Sequence, residues 1–146
     1  MLRDPSLIPL SHQHHNGLAL CVMTRRSMAS DSSEQNVAKL ARRVVDRYEI
    51  ELVNHFEIEE QVLFPACGAM ALIDELIGEH RAMEGMVAGL GAEPTASGLE
   101  EFCALLSSHI RREEGELFET IQREMSRETL DRVGVEIDKR AVRVCL

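Results

Sequence analysis

Several residue types and segments are scarce or absent in the sequence, and each absence excludes a class of function for the protein. Aromatic residues make up only 3% of the 146 residues, and tryptophan is absent. Basic residues are outnumbered, 16 against 25 acidic ones, and the formal net charge is −9. Nucleic acid is therefore not expected as a partner, because binding to phosphates requires a basic surplus. No segment approaches the roughly 20 apolar residues that a membrane-spanning helix needs. The N-terminus, MLRDPSLIPL, does not resemble a signal peptide. We expect a cytoplasmic protein.

The cysteine spacing excludes two further kinds of site. The sequence has four cysteines, far apart, with no C-x-x-C pair. A zinc ribbon or a thioredoxin-like redox motif is therefore unsupported. Reduced and mostly buried thiols are the expectation, because free cysteine behaves as a small apolar residue. The four are Cys21, Cys67, Cys103 and Cys145.

The remaining composition favours helices in one domain. A chain of this length forms one core, and leucine, alanine, methionine and glutamate favour helices. Breaks at 30–33, 65–68 and 89–98 separate segments with helical periodicity. Short connections make successive helices antiparallel, so we expect an all-α, up-down-up-down four-helix bundle over about 8–124, with a short C-terminal helix and tail over 126–146. The predicted helices are 11–29, 34–64, 70–88, 99–124 and 126–140, with Pro65 ending the second.

The pattern H-x-x-x-E-E-x-x-L-F occurs twice, beginning at His55 and at His109. In each copy the histidine and the first glutamate, Glu59 or Glu113, continue the apolar stripe of a helix at steps of three or four. Burying an unpaired imidazole and carboxylate costs several kcal/mol. A bound metal compensates both groups, since these are the ligands that borderline divalent metals prefer. The alternative is an exposed i, i+4 pair, which the duplication disfavours.

A second repeat adds one histidine to each pair. His15 and His80 each begin the pattern H-x-x-[LM]-x-x-x-V. The chain then consists of two similar helical hairpins, which predicts a pseudo-twofold site on the bundle axis. The alignment with His80 selects His15 over its neighbours, with His14 as the next candidate and His12 as a solvated residue.

These residues predict a dinuclear metal site. Four histidines give two to each metal, two carboxylates bridge, and a bridging oxo or hydroxo group from solvent brings each metal to about five ligands. One octahedral position then stays open for a small ligand, and iron suits this mixed shell. Zinc or manganese are alternatives in the isolated protein. The E-x-x-H pattern of ferritin-like sites and the H-E-x-x-H pattern of zinc proteases are absent. The predicted ligands are His15, His55, Glu59, His80, His109 and Glu113.

Four other residues lie near the predicted ligands. Glu84 is either a seventh ligand or an acceptor for an imidazole N–H. Glu60 and Glu114 lie off the apolar stripe, so we expect them to be exposed. Tyr48 lies on the same face as His55, two turns before it, and is expected in the core, with the lining of a ligand pocket as the alternative.

The segments HFEIEEQVLFP, EHRAM and HIRREEGELF resemble the hemerythrin-like family, also called the HHE cation-binding domain, over about residues 8–124. The resemblance implies a non-haem di-iron centre that binds or reacts with dioxygen, nitric oxide or peroxide. It carries the metal ligands onto the same six residues.

The chain departs from the oxygen-carrying members of that family. They have a second histidine one turn after the third-helix ligand, where this chain has Glu84. Their fourth-helix ligand is an aspartate five residues after the histidine, whereas Glu113 follows His109 by four. Fewer histidines should stabilise ferric iron and weaken reversible oxygenation, which favours a sensor or a nitrosative-stress role, although the cysteine-bearing N-terminal segment of the repair proteins is absent. A peroxide-handling or iron-donating enzyme, an interaction module with a structural metal, and a homo-oligomer remain open.

Overall fold

The computed structural model describes residues 2–144, and this part of the chain is helical without any strand. The all-α prediction is confirmed. A 3-10 turn, Pro5–Leu7, precedes five helices that are joined by short connections. They are α1 (Ile8–Ser30), α2 (residues 34–67), α3 (Ala71–Ala92), α4 (residues 96–124) and α5 (Arg127–Arg140).

Helices α2 and α4 contain π-helical turns. In such a turn the backbone hydrogen bond runs from residue i to i+5, and single π turns are frequent at functional sites. Two of the three turns begin at a glutamate of the repeated motif. The π turns are Tyr48–Leu52 and Glu59–Leu63 in α2 and Glu113–Leu117 in α4; the α-helical parts are Glu34–Arg47, Val53–Ile58, Phe64–Cys67, Ala96–Arg112 and Phe118–Glu124.

Side-chain caps fix the start of three helices. The oxygen atoms of Ser33, Thr95 and Ser126 each accept a hydrogen bond from the backbone N–H three residues on, at 3.2, 2.9 and 3.2 Å. Such a cap satisfies one of the four free N–H groups at a helix start. Because Thr95 is a cap, α4 begins three residues before the predicted Leu99. The predicted loop 89–98 is correspondingly shorter than expected, since α3 continues to Ala92.

Two prolines lie inside helices, and Pro65 does not end its helix as predicted. Pro9 lies inside the first turn of α1, where its missing N–H has no intrahelical partner to lose. Pro65 lies inside the last turn of α2, which continues to Cys67. The helix ends instead at Gly68, whose φ of 75° lies in the left-handed region that glycine adopts without strain.

Two apolar clusters fill the interior, one on each side of a polar layer. Along α2, Leu52 belongs to the first cluster and Leu63 to the second, and His55 and Glu59 lie between them. The other long helices repeat this order. The first cluster contains Cys21, Val44, Met83, Phe102 and Leu106; the second contains Leu10, Leu76, Leu117, Leu130 and Ile137. The buried histidines and glutamates therefore share one level of the molecule.

Helices α1 and α3 each pack against both α2 and α4, which encloses the polar layer on all sides. Helix α5 packs on the 3-10 turn and covers one end of the second cluster. Within residues 2–144, no helix combines the length and the apolar character needed to cross a membrane.

The contact between α5 and the 3-10 turn depends on Gly134. A Cβ atom at this position would lie 2.9 Å from the backbone Cα of Ser6. We expect Gly134→Ala to lower the free energy of unfolding by about 1–3 kcal/mol, since the backbone must move apart. Gly85 in α3 has no atom within 4 Å of such a Cβ. Gly85→Ala should therefore raise stability by roughly 0.5–1 kcal/mol. Urea denaturation measures both, and a Gly134→Ala variant as stable as Gly85→Ala would contradict this packing.

Candidate metal centre

Six buried side chains converge in the polar layer. They form two groups that could each hold a metal ion, and within a group the ligand atoms lie within 4.8 Å of one another. Both groups contain Glu59 and Glu113, which therefore lie between the two positions. The first group adds His14 and His55, and the second adds His80 and His109.

The imidazole Nε2 atoms face the two shared carboxylates. Within each helix, Nε2 of the histidine lies close to Oε1 of the glutamate four residues on, at 2.8 Å for His55 and Glu59 and 2.9 Å for His109 and Glu113. Between helices, His14 Nε2 lies 3.1 Å from Glu113 Oε1, and His80 Nε2 lies 3.6 Å from Glu59 Oε1. Each carboxylate thus contacts imidazoles from both hairpins.

The polar atoms at the centre lack hydrogen-bond partners. Both carboxylate oxygens of Glu59, Oε2 of Glu113 and three imidazole Nε2 atoms are buried without one, although some contacts are short. Elsewhere in residues 2–144, Arg3 Nε is the one other buried side-chain atom in this condition. Leaving such atoms unpaired in an apolar interior is costly. A cation at the centre would engage them all, so the donor set fits a metal.

Each imidazole is oriented by a second contact on its outer side. All four Nδ1 atoms lie within hydrogen-bond distance of a side-chain oxygen, which leaves Nε2 free to face the centre. An Nδ1–H donor fixes the tautomer whose Nε2 lone pair is available for a metal. The pairs are His14 with Glu114 at 2.6 Å, His55 with Gln13 at 2.9 Å, His80 with Glu60 at 2.7 Å and His109 with Glu79 at 2.8 Å.

The outer carboxylates are held in turn by arginines. Arg81 hydrogen-bonds to Glu60, Arg112 Nη1 donates to Glu79 at 3.2 Å, and Arg3 Nη2 donates to Glu114 at 3.0 Å. The contacts therefore extend from the centre, through the imidazoles and the outer carboxylates, to arginines near the protein surface. The fourth outer residue, Gln13, is neutral and donates to Asn54 Oδ1 at 3.0 Å.

Burial favours the neutral form of two of the four histidines, His14 and His109. It lowers the pKa of His14, with a further contribution from the charge of His55, and it lowers the pKa of His109 to about 4 despite the nearby carboxylates. Neutral imidazole is the form that binds metals. Burial alone would raise the pKa of Glu59, but the charge of His55 and the contacts to the imidazoles outweigh it, and the pKa lies below its usual range. Neutral nitrogen donors at His14 and His109 therefore lie beside an ionised oxygen donor at Glu59.

The prediction of His15 requires correction, because the structure places this side chain on the exposed face of α1 and His14 in the cluster. The repeat was aligned on Leu18 and Val22, yet Val22 is 48% exposed. The buried face instead runs through Leu10, His14 and Cys21. The other five predicted ligands come together as expected, and their binding of a metal stays a prediction.

The expectation that Glu60 and Glu114 face solvent was wrong. Each is only partly exposed, and each accepts the Nδ1 contact of a histidine from the other hairpin. Burial would raise the pKa of Glu114, but the hydrogen bond and charge of His14, the hydrogen bond from Ser11 and the charge of Arg3 together outweigh it and lower this pKa to about 2. The second glutamate of H-x-x-x-E-E, present in both copies, was the signal for this role. Sequence reasoning also missed Gln13 and Glu79, which directly precede His14 and His80.

The remaining candidates lie outside the cluster. Glu84 is exposed and pairs with Arg81, so it is neither a ligand nor an imidazole partner. Tyr48 is partly buried, packs edge-on against Phe56 at 6.2 Å between ring centroids, and also lines a surface cleft. Cys21 and Cys103 belong to the first apolar cluster and Cys67 packs against the second, as free thiols. Cys145 lies outside the described residues.

The neighbours His14 and His15 provide a matched test of the cluster. We expect His14→Ala to weaken metal binding at least tenfold, because loss of a direct ligand should cost no less than the 10–100-fold loss seen for outer partners. His15→Ala should leave binding unchanged, since the side chain is exposed. Equilibrium dialysis with Co²⁺ gives both constants, and loss of binding in the His15 variant alone would restore the original assignment.

Comparison with known proteins agrees with this geometry. The family model described as Hemerythrin, Hemerythrin HHE cation binding domain, matches residues 7–121. The matched range includes all six clustered side chains and both copies of the repeated motif. No curated protein and no solved structure matches the chain. The resemblance inferred from the motifs is confirmed, and the chain belongs to the hemerythrin HHE cation-binding domain family.

Proposed function

We propose that this protein holds two iron ions in the polar layer and binds a small diatomic or oxidant ligand, such as dioxygen, nitric oxide or peroxide, at an open position of that centre. One observation carries the proposal. Four histidines divide into two pairs around two carboxylates that both pairs share. An arrangement in which Glu59 and Glu113 serve two positions at once is what a dinuclear centre requires.

The number of donors supports an open coordination position. Each position receives two imidazole nitrogens and shares two carboxylates, which is fewer than the six ligands of an octahedral ion. A bridging oxygen from solvent would still leave one place on each ion. Within residues 2–144, no further side chain belongs to either group of ligand atoms, and Glu84 faces away toward Arg81.

Iron is the best match to these donors. Mixed imidazole and carboxylate sets are those of non-haem iron proteins, and helical bundles build such sites from facing helices. A structural zinc ion is usually bound by four protein ligands that leave no coordination position open. In this centre the two positions share their carboxylates, and each has fewer protein ligands than an octahedral ion needs. We also infer that α1 to α4 run alternately up and down around this centre, because short connections join successive helices.

The packing of Phe56 beside a surface cleft favours small ligands. A cleft of about 470 Å³ between α2 and α3 is lined by Tyr48, Phe56 and His80. At its base the ring of Phe56 stacks on the ring of His80, with centroids 3.9 Å apart and planes 15° apart. Both side chains are buried. A diatomic molecule needs only a small displacement of Phe56 to pass, whereas a larger substrate would have to disrupt the packing.

Anaerobic loading with Fe²⁺ tests the metal content. We expect two iron ions per chain and, after exposure to air, near-ultraviolet absorption of ferric iron that disappears on reduction. Iron at about a hundred times the Kd of each site should also raise the free energy of unfolding by about 2.7 kcal/mol per site. Elemental analysis, optical spectra and thermal melts measure these quantities. A protein with at most one ion per chain, or one that melts identically with and without metal, would contradict the proposal.

Ligand binding is tested separately on the loaded protein. We expect nitric oxide to change the spectrum of the reduced form, and azide that of the oxidised form, in a saturable way. The matched control is Glu84→Gln, which should behave as wild type because Glu84 faces Arg81. No spectral change with either ligand would exclude an open position. Peroxide turnover well above that of free iron, abolished in Glu59→Ala, would identify an enzyme instead of a binding protein.

A further inference from the structure

The outer contacts of the four imidazoles repeat between the two hairpins, with one exception. Gln13 directly precedes His14, as Glu79 directly precedes His80. Gln13 Oε1 accepts from His55 at 2.9 Å, and Glu79 Oε1 accepts from His109 at 2.8 Å. The two residues therefore have the same position and the same task, but one is a neutral amide and the other a carboxylate.

The other two outer contacts do not differ in charge type. Glu114 holds His14 and Glu60 holds His80, at 2.6 and 2.7 Å. Each of these carboxylates also contacts an arginine, Arg3 or Arg81. Glu114 Oε2 additionally accepts from Ser11 at 2.7 Å, which draws some of its charge away from His14. The main difference between the outer contacts of the two metal positions is therefore that Gln13 is neutral, whereas Glu79 carries a carboxylate.

The C-terminal segment determines which way Gln13 is turned. Its Nε2 donates to Asn54 Oδ1 at 3.0 Å and to the carbonyl oxygen of Val142 at 3.3 Å. Asn54 Oδ1 also accepts from the backbone N–H of Val142 at 3.0 Å. A residue that must donate to a carbonyl oxygen cannot be a carboxylate, so these contacts suit an amide. Only Oε1 of Gln13 is then left to face His55.

We propose that this difference makes the two metal positions unequal: the His80 and His109 position binds a divalent cation first, and Gln13 makes the His14 and His55 position the weaker one. A carboxylate that accepts from Nδ1–H increases electron density on the imidazole and strengthens its bond to a cation, whereas an amide does so less. The inference rests on the proposed two-metal centre and extends it, since the two ions would differ in affinity and in ease of reduction.

The test uses Zn²⁺, which has no redox chemistry, in crystals of the full chain. With one equivalent of Zn²⁺, we expect the anomalous peak at the His80 and His109 position to exceed the other about tenfold, the lower end of the range for outer partners of metal ligands. Position is the informative quantity, because repulsion between two ions produces two unequal binding steps even in a symmetric site.

One single variant and one double variant serve as matched probes. Glu79→Gln makes both outer residues amides and should bring the two peaks close to equal. Gln13→Glu with Glu79→Gln exchanges the two groups at constant net charge and should move the stronger peak to the His14 and His55 position. Gln13→Glu introduces a carboxylate near the carbonyl of Val142, so melts of each metal-free variant are needed. If the double variant does not fold, the single Glu79→Gln variant decides.

The outcomes separate this inference from the proposed function. Equal peaks in the wild type, or a preference that Glu79→Gln leaves unchanged, would overturn the inference while two equivalents of Zn²⁺ still fill both positions. A wild type that holds no more than one ion even with excess Zn²⁺ would overturn the two-metal proposal itself. A preference that falls in Glu79→Gln and reverses in the exchanged variant supports both.

Discussion

The structure depends on the contact of two carboxylates with four imidazoles inside a largely apolar interior. Glu59 and Glu113 are 0% exposed and lie between two apolar clusters. Without a compensating charge, such groups would destabilise the fold by several kcal/mol. The helices nevertheless bring them to one level, and the atoms left without hydrogen bonds point inward. The interior is therefore arranged for a cation, and part of the stability of the fold should come from that cation.

The outer contacts explain why the centre can be both buried and ordered. Each imidazole is held at Nδ1 by a side chain that is itself held by an arginine or by a further amide. Ring rotation would break these contacts, so the Nε2 atoms are positioned before any ion binds. Contacts of this kind also join the hairpins, because Glu60 of α2 holds a histidine of α3 and Glu114 of α4 holds one of α1.

The sequence predicted most of the side chains in the centre but not the residues that hold the imidazoles from outside. Duplication of H-x-x-x-E-E identified the two histidine–glutamate pairs. Residues at i and i+4 lie on the same face of a helix, however that helix packs against its neighbours. The choice between His14 and His15 could not be made from the spacing, because the two residues are adjacent in a polar stretch and only a rotation of about 100° per residue separates them. Leu18 and Val22 fit the repeated sequence pattern that begins at His15. The contacts of α1 with α2 and α4 nevertheless bury a different face of the helix, the one that contains Gly17. A Cβ at Gly17 would lie 3.1 Å from Ile110, which shows how closely that face approaches α4.

The π turns account for the remaining part of the motif, the terminal Leu-Phe pair. In a regular helix the residue above Glu59 is Leu63, four positions on, whereas a π turn places the fifth residue there. Because the turns begin at Glu59 and Glu113, both members of each pair reach the second apolar cluster. Phe118 then stacks on His14 with ring centroids 5.4 Å apart, and Phe64 lies beside His80 at 6.0 Å. The two aromatic rings thus close the same side of the centre, because each belongs to the same apolar cluster as the leucine before it.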